Sequence, residues 1–331
     1  MRFLRVALVI VGLSPLSATV ACGRLPGGSP PPATVWLLHN PDEGVTQSPA
    51  ALPAAVGSFV GPLIVVDSSS FVPLRGFVSD DAPAGASRVA LVTTYQGTRY
   101  HPESIRALTE DSVAATQFAG ALSRMAAGTS NGLFIDFQGN TPDELPRTTA
   151  LLRTIADSAR ALNLSPVGIV VPPGDTVGYP TAILARTADL IVVRLAGEHR
   201  SGTSPGPLAS PEWVTRQIGI RAYEIGVNRL VAELPLFGYL WDATGAVRRI
   251  TYSEAQSLVR RQAGVFRRDP ASGSLTASSA RDGWTIWIGD VQTLEKLVAV
   301  ARRAGVKRFA LLGVDGADPD IWTRLPEALS R

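Results

Sequence analysis

The sequence predicts an α/β chain whose main part is one closed (β/α)8 barrel. From residue 33 onward, eight short apolar runs alternate with amphipathic stretches, within a length that suits a single barrel domain. Near-continuous apolar runs are typical of strands buried on both faces, as in a parallel sheet. Eight strand–helix units favour closure over an open doubly wound sheet. No glycine-rich phosphate loop follows the first run, which argues against a dinucleotide fold.

Each strand of this TIM-type barrel is predicted from its own apolar run, and the helices from apolar residues at helical spacing. The eight candidate strands are Ala33–His39, Pro62–Asp67, Arg88–Thr94, Gly132–Phe137, Val167–Pro172, Asp189–Arg194, Arg229–Pro235 and Lys307–Gly313. The clearest helical stretches between them are Pro102–Met125, Asp143–Leu162, Pro211–Ile225 and Val291–Ala304.

The N-terminus predicts export to the cell envelope. Arg2 and Arg5 precede the apolar run Val6–Leu13, which is too short to cross a bilayer as a helix. Cys22, the single cysteine of the sequence, follows small residues directly and resembles the lipidated cysteine of bacterial lipoproteins. The alternative is an ordinary signal peptide cut near Ala21, with Cys22 incidental.

Three segments follow from this interpretation. Residues 1–21 are the predicted signal peptide, and residues 22–32 hold the lipid-anchor cysteine and a Gly/Pro-rich linker. Residues 33–331 are the predicted barrel, which has no cysteine and therefore no disulfide. The 45% hydrophobic content of the whole sequence is enough to bury a large core without a disulfide.

The charge balance indicates no polyanionic partner. The sequence has 31 Lys+Arg against 28 Asp+Glu, and without Arg2 and Arg5 the balance is 29 against 28. No dense basic patch with interleaved aromatic residues occurs in the sequence, so nucleic acid is not expected as a partner. The oligomeric state is left open.

The carboxyl ends of barrel strands carry the chemistry in this fold class. Polar residues stand at several of these predicted ends and give a polar cleft. They are His39, Asn40, Asp67, Ser68, Thr94, Tyr95, Asp136, Gln138, Glu198, His199 and Glu233.

Four segments in chain order carry a resemblance to a known family. Asn131–Gln138, on the fourth strand, resembles the Asp-Gly-x-Asp-x-Asp-Phe/Trp-Glu signature of family 18 glycoside hydrolases. Glu198–Pro207 is similar to the family's loop after strand six, and Leu234–Trp241 to its strand-seven segment. Asp318–Trp322 resembles the motif that closes the last unit. Among the branches of this family, the four segments are most similar to the bacterial branch that contains spore-cortex peptidoglycan glucosaminidases.

The resemblance implies a substrate class and a mechanism. In the family a Glu at the end of strand four protonates the glycosidic oxygen, while the substrate's own acetamido carbonyl attacks the anomeric carbon. A neighbouring Asp orients that group. The resemblance therefore implies sugars with a 2-acetamido group, as in chitin or peptidoglycan, and no cofactor or metal.

The sequence departs from the family at the residues that matter most. The acid position is Gln138, and a carboxamide has no dissociable proton near neutral pH. Of the signature's acidic residues only Asp136 remains, since Asn131 and Phe134 occupy the other two places. The family's Tyr-Asp pair falls on residues 196 and 197, Ala and Gly, and its strand-eight Trp falls on Leu312.

The three candidate catalytic positions each have two interpretations. Asp136 is either a ligand contact or a barrel-interior carboxylate held by polar neighbours. Gln138 is either a binding residue or the product of drift at a site that no longer catalyses. Glu233 stands where the family has a small residue. It either points into the cleft as a relocated acid or faces the helical layer and pairs with an Arg.

The candidate ligand-binding residues are Asp67, Tyr95, Glu198, His199, Tyr239 and Trp241. The aromatic candidates, with Trp284 and Trp287, either stack on sugar rings or pack loops against the barrel rim. His39, Asp67, Glu198 and His199 show no metal-site spacing, so separate polar rim residues are expected there.

The leading hypothesis is a lipid-anchored, family-18-like barrel that binds N-acetylated glycan without the usual hydrolysis. One alternative is a glycoside hydrolase with relocated carboxylates, Asp136 and Glu233. The other is a non-catalytic envelope scaffold that binds a protein partner. Whether the protein is an enzyme is left open by the sequence.

Overall fold

Eight parallel strands close into a barrel. They are β1 (Thr34–Leu38), β2 (Ser58–Val66), β3 (Ser87–Thr93), β4 (Gly132–Asp136), β5 (Val167–Val171), β6 (Leu190–Arg194), β7 (Leu230–Pro235) and β8 (Arg308–Leu312). Each strand pairs in parallel with the next one along the chain. The first strand also pairs with the last, which closes the sheet. The predicted (β/α)8 fold class and all eight strands are confirmed.

The computed structural model describes residues 34–38, 58–66, 73–75, 87–96 and 99–330, all within the unit Pro32–Arg331. The predicted signal peptide and linker lie outside the described residues, and so do Cys22, His39 and Asp67. A short antiparallel strand, Pro73–Arg75, adds to the side of β2.

Side chains of the barrel strands alternate between the barrel interior and the helical layer, as the twofold period of a strand requires. Trp36 on β1 and Phe134 on β4 meet edge to face at 5.5 Å between ring centroids, although their strands are not neighbours. This contact crosses the barrel interior. The interior cluster consists of Trp36, Leu38, Val89, Leu91, Phe134, Val170, Leu190, Val192, Leu208, Val231, Phe237, Ala310 and Leu312.

The helical layer starts with two helices where the sequence predicted one. Helix α1 (Pro102–Glu110) ends at Asp111, and α2 (Ser112–Ala127) begins directly after it. Asp111 has extended backbone angles, φ −124° and ψ 108°, so it cannot continue a helix. Its carboxylate accepts hydrogen bonds from Val113 N at 2.8 Å and Ala114 N at 3.1 Å. The prediction of one continuous helix was wrong because this aspartate acts as an N-cap.

The other predicted helices are confirmed to within a few residues. Outward-facing residues of the barrel strands pack against them in the largest core cluster. No helix among the described residues is both long and apolar enough to cross a membrane. The remaining helices are α3 (Leu145–Ala161), α4 (Thr181–Leu184), α5 (Pro211–Ile225), α6 (Tyr252–Arg261), α7 (Val291–Arg303) and α8 (Asp320–Ser330).

A five-stranded antiparallel sheet is inserted between β7 and β8, and we call it the insert sheet. It has a core of its own, to which α6 contributes. This sheet was not predicted from the sequence. The run Trp284–Ile288 consists of aromatic and β-branched residues, a composition that would have indicated a strand there. In spatial order its strands are Val247–Ile250, Gly238–Trp241, Trp284–Ile288, Leu275–Ser279 and Arg267–Arg268.

An ion pair joins the insert sheet to α7. Arg268 Nη1 donates to Asp290 Oδ1 at 3.0 Å, and the same carboxylate caps α7 by accepting from Thr293 N at 3.0 Å. Burial by itself raises the pKa of Asp290, but the hydrogen bonds from Arg268 and Thr293 outweigh burial and hold the pKa below its usual value. Asp290 therefore acts as a carboxylate that holds the insert sheet to the barrel.

Gly168 on β5 leaves the room that the Phe134 ring occupies inside the barrel. A Cβ at residue 168 would lie 2.5 Å from Phe134 Cδ1, which is closer than atoms can approach. We expect Gly168→Ala to lower the free energy of unfolding by about 1–3 kcal/mol through overpacking. In a Phe134→Leu background the same substitution should cost clearly less. Chemical denaturation of the wild type, the two single variants and the double variant measures both effects.

Gly219→Ala on α5 is the matched control, because nothing lies within 4 Å of a Cβ at that position. Alanine favours a helix over glycine by about 1 kcal/mol, so this variant should be neutral or slightly stabilised. An equal loss for Gly168→Ala in both backgrounds would show that the Phe134 ring is not the obstacle.

Candidate functional site

Three charged side chains from three strands meet inside the mouth of the barrel. Asp136 ends β4, Arg194 ends β6, and Glu233 lies near the end of β7. The residue two positions earlier on each of these strands belongs to the interior cluster. Because strand side chains alternate, the three charged groups also face the interior, at the carboxyl ends of the strands.

The Arg194 guanidinium connects these groups. Its Nε donates to Glu233 Oε1, and its Nη2 reaches Glu233 Oε2 at 3.4 Å and Asp136 Oδ2 at 3.1 Å. Its Nη1 donates to the hydroxyl of Tyr100. The side chains of Asp136 and Glu233 are only 4% and 1% exposed, so the contacts form away from bulk water. Buried charges of this kind persist because they are paired and hydrogen-bonded.

Tyr100 reaches the site from a short hairpin after β3, formed by Tyr95–Gln96 and Arg99–Tyr100. Its hydroxyl donates to Asp136 Oδ2 at 3.0 Å. Burial raises the pKa of Tyr100 well above its ordinary value. Arg194 opposes that rise, and the two carboxylates add to it. Tyr100 is therefore a neutral donor to Asp136 at physiological pH.

The pKa of Arg194 reflects the same geometry. Burial favours the neutral form of the side chain, but the facing carboxylates of Asp136 and Glu233 outweigh burial and hold the pKa well above its usual range. The guanidinium remains charged. Asp136 and Glu233 thus share the Arg194 guanidinium as their cation.

Gln138 lies beside this network, two residues beyond Asp136. Its Nε2 donates to Asp136 Oδ1 at 2.7 Å and to the backbone oxygen of Val170 at 3.3 Å. The residue is 7% exposed. At the acid position of the family, this protein has an amide whose donor atom points at Asp136 and Val170.

The loop after β5 holds the segment that follows Gln138. The Tyr179 hydroxyl donates to Phe137 O at 3.0 Å and accepts from Asn140 N at 3.1 Å. Burial raises the pKa of Tyr179 to about 12, so this hydroxyl keeps its proton. Arg221, which is buried, donates to backbone oxygens of the same loop, among them Asp175 O at 2.7 Å. These contacts fix the backbone on both sides of Gln138.

The position of Glu233 agrees in part with each of its two predicted roles. The side chain points into the barrel, as a relocated acid would, but both of its oxygens bind Arg194. A proton donor to substrate needs an oxygen that can reach the substrate, and Glu233 is 1% exposed. The geometry therefore argues against Glu233 as a relocated acid.

Glu198 and His199 are predicted ligand residues whose contacts hold their own loop. The Glu198 carboxylate accepts from Ser210 N at 2.6 Å and Ser210 Oγ at 2.9 Å, next to the start of α5. A ring nitrogen of His199 lies 2.9 Å from Ser204 O, and the ring packs on Gly206. Both residues stabilise the loop after β6. No three His, Cys, Asp or Glu side chains converge as metal ligands within the described part of the chain.

The aromatic candidates divide between two faces of the insert sheet. Tyr239 pairs in register with Trp287, so both lie on the face opposite Trp284, which is buried in the core of the insert. Tyr239 packs against the interior cluster of the barrel, which places this face at the barrel mouth. Trp241 lies 5.8 Å from Tyr239 between ring centroids and is 3% exposed. Tyr95 lies 4.9 Å from Tyr100 at the site itself.

Three of the positions where the sequence departs from the family carry apolar side chains that pack in or against the barrel interior. Phe134 and Leu312 belong to the interior cluster, and Ala196 packs against it. Asn131 accepts a hydrogen bond from Arg88 N at 3.3 Å, near the opposite end of the strand from the site. Hydrophobic packing thus fills the space below Asp136.

Sequence reasoning missed Arg194 and Tyr100. Arg194 was recognisable, because a charged residue ends an otherwise apolar strand. Tyr100 carried no comparable signal, since it reaches Asp136 through a hairpin 36 residues earlier in the chain.

No protein-family model matches the chain. The uncharacterized glycosylase YvbX of Bacillus subtilis (strain 168) is 24% identical over 197 residues, which are 54% of this chain and 57% of that relative. The matched region therefore spans little more than half the length of the relative.

Solved structures resemble the barrel over most of its length. The chitinase from Chromobacterium violaceum ATCC 12472 has a TM-score of 0.76 at 18% identity, over 90% of this chain and 99% of that one. The fold is chitinase-like. The spore cortex-lytic enzyme SleL of Bacillus megaterium QM B1551 has a TM-score of 0.75 at 12% identity, over 90% and 75%. A glutamate-to-glutamine variant of the class V chitinase from Nicotiana tobaccum, in complex with NAG4, has a TM-score of 0.73 at 13% sequence identity. The match covers 90% of this chain and 99% of that one.

These likenesses confirm, at the level of the fold, the resemblance to family 18 glycoside hydrolases and to the spore-cortex branch. The barrel spans β1 to α8, and all four sequence motifs, from Asn131 to Trp322, lie within it. The similarity of the fold leaves the chemistry to be argued from the site.

Removing the Arg194 guanidinium should strongly destabilise the protein. Arg194→Met leaves Asp136 and Glu233 buried without a cation, and breaking a buried pair in this way costs about 3–5 kcal/mol. Adding Glu233→Gln should recover part of the loss, because it removes one of the two uncompensated charges. Thermal and chemical denaturation measure both steps.

Arg186→Met provides the control, because Arg186 is exposed on the surface. Its stability should stay within about 0.5 kcal/mol of the wild type. If Arg194→Met were as harmless as this control, the ion pairs would not hold the site together.

Proposed function

We propose that this protein binds N-acetylated glycan, peptidoglycan or chitin-like, at the mouth of its chitinase-like barrel without the usual hydrolysis. The observation that carries the proposal is the 2.7 Å hydrogen bond from Gln138 Nε2 to Asp136 Oδ1. An amide at the acid position supplies no proton to a leaving oxygen, and here its N–H groups are already engaged by acceptors.

The ligand class is supported by the relatives. The similar proteins are chitinases, a spore cortex-lytic enzyme and a glycosylase by their names. The Nicotiana tobaccum chitinase in complex with NAG4 is a variant with glutamine in place of a glutamate. A chitinase-like barrel with such a replacement thus holds an N-acetylated oligosaccharide, which supports glycan binding here.

The absence of ordinary hydrolysis is supported by the charged groups themselves. Asp136 Oδ2 already accepts hydrogen bonds from Arg194 and Tyr100, and Oδ1 accepts from Gln138. An aspartate held in this way is not free to turn toward an acetamido group. The family's Tyr-Asp pair for that group is replaced by Ala196 and its neighbouring glycine.

Aromatic side chains at the mouth supply surfaces for sugar rings. Trp287 is half-buried and lies beside Tyr239 on the face of the insert sheet that meets the barrel. Tyr95 lies beside Tyr100 on the hairpin after β3. Aromatic rings and sugar faces bury apolar area together, which is how glycan sites gain affinity.

We expect the purified chain from Ala33 onward to be retained by insoluble peptidoglycan or chitin without releasing soluble sugars. Trp287→Ala should weaken retention by about tenfold, because it removes an aromatic face. Tyr223→Ala on α5 is the matched control, since Tyr223 is 94% exposed and lies in the last turn of the helix that leads into the amino end of β7, whereas the site lies at the carboxyl ends of the strands. Retention and released sugars are measured on the same samples.

The three possible outcomes of this assay support three different functions. Release of sugars that is lost on Glu233→Gln, with the fold intact, would support the hydrolase with relocated carboxylates. Retention without release supports the proposal. Failure of both retention and release would sink the glycan proposal and favour the protein-binding scaffold.

One observation favours the scaffold as a second candidate. Ile220 and Tyr223, three residues apart on α5, are 36% and 94% exposed and therefore present an apolar edge to solvent. Exposed apolar surface of this kind is typical of protein contacts when it forms a patch. In that case Tyr223→Ala, and not Trp287→Ala, should abolish capture of the partner.

We also propose that the protein is exported and anchored in the cell envelope through a lipid on Cys22. The sequence around Cys22 supports this, as does the Gly/Pro-rich segment that follows it. In a bacterial host fed labelled fatty acid, the wild type should carry label in the membrane fraction, and Cys22→Ser should lose it. Ser29→Ala should behave like the wild type. An unlabelled, soluble wild type would instead indicate an ordinary signal peptide.

A further inference from the structure

A cavity lies between α6 and the edge strand of the insert sheet, Val247–Ile250. Its volume is about 430 Å³, which falls within the range of about 300–1,000 Å³ that is usual for small-molecule sites. The residues that line it are mostly polar: Arg248, Ser253, Glu254, Ser257, Leu258 and Arg261. They do not overlap with the network around Arg194, so the cavity is distinct from the site at the barrel mouth.

The spacing of residues on α6 brings the polar groups of the cavity together. Residues four apart on a helix lie one above the other, so Ser253, Ser257 and Arg261 form one row along the helix surface. Arg248 approaches from the strand: it pairs in register with Leu240, whose side chain lies in the core that α6 helps to form. Two hydroxyls and two guanidinium groups, all of them hydrogen-bond donors, therefore line one cavity.

The charges that line the cavity are not balanced. Within the described part of the chain, neither Arg248 nor Arg261 forms an ion pair. The guanidinium of Arg249 lies 4.0 Å from the centroid of an aromatic ring of the barrel interior cluster, so it points away from the cavity. The lining also holds the carboxylate of Glu254, whose Oε2 accepts from Thr251 N at 2.8 Å in the capping box of α6. Two cations thus face one anion, which leaves an excess of positive charge.

We infer that this cavity is a second binding site, for an oxyanion: a phosphate or carboxylate group carried on a larger molecule. Guanidinium groups and hydroxyls are the donors that recognise the oxygens of such groups. A phosphate has only a few times the volume of a water, ~30 Å³, so the cavity also has room for the group that carries it. Leu258 supplies an apolar wall for that group. The inference does not depend on glycan binding at the barrel mouth, because the two sites share no residue.

The test is calorimetric titration of the full chain at low ionic strength with glycerol phosphate, glycerate and glycerol. These probes share a three-carbon skeleton and carry a phosphate, a carboxylate or neither. At least one of the two acids should bind in a saturable way, and glycerol should not bind. The acid that binds more tightly identifies the oxyanion. Added sodium chloride should weaken binding, because salt screens the attraction between exposed charges.

Three variants make the result specific to this cavity. Arg261→Gln should weaken binding about tenfold, because it removes one of the two guanidinium groups. Arg260→Gln is the matched control and should bind like the wild type: Arg260 is exposed in the same last turn of α6 but does not line the cavity. Glu254→Gln should tighten binding about threefold, because it removes the carboxylate, while a glutamine keeps the capping box with Thr251. A melting temperature for each variant confirms that it is folded.

Three results would overturn the inference. The first is the absence of saturable binding of both acids at millimolar concentration. The second is an equal loss of binding in Arg260→Gln and Arg261→Gln, which would indicate general attraction to a basic surface. The third is weaker binding by Glu254→Gln, since an oxyanion in the cavity is repelled by that carboxylate. Retention on insoluble chitin, tested through Trp287, is a separate measurement, so failure at one site is distinguishable from failure at the other.

Discussion

The guanidinium of Arg194 joins three strands of the barrel and the hairpin after β3 at a single point. Asp136 and Glu233 are nearly inaccessible to water, and a carboxylate in that environment needs a cation and hydrogen-bond donors. The fork of donors on arginine supplies them: Nε and Nη2 to Glu233, Nη2 to Asp136, and Nη1 to Tyr100. The orientations of Asp136, Glu233 and Tyr100 depend on this one side chain.

The same ion pairs change what the mouth can do chemically. Asp136 accepts from Arg194, Tyr100 and Gln138, so its position is set before any ligand arrives. The polar side chains at the mouth thereby form a preorganised network. Preorganisation of this kind supports the proposal of glycan binding, because recognition costs less when the binding groups are already in place.

The segments around the site hold its side chains and backbone in place. The insert sheet places Tyr239 and Trp287 beside the mouth, and the Arg268–Asp290 ion pair ties that sheet to α7. On the other side, Tyr179 and the buried Arg221 hold the backbone that follows Gln138. Glu198 and His199, which the sequence singled out as ligand residues, stabilise the loop after β6 in a comparable way. Strand ends supply the chemistry and loops supply its support, as is common in barrels.

The sequence by itself determined the eight strands, most of the helices, and the adjacency of Asp136 and Gln138. These depend on local periodicity and on two residues that are two positions apart in the sequence. The break at Asp111 and the insert sheet were decided by capping and by pairing between distant segments. Only the tertiary structure decided that Glu233 pairs with Arg194 and that Tyr100 joins Asp136. Those contacts exist because closing the barrel brings strands four, six and seven to one axis, and no spacing in the sequence encodes that meeting.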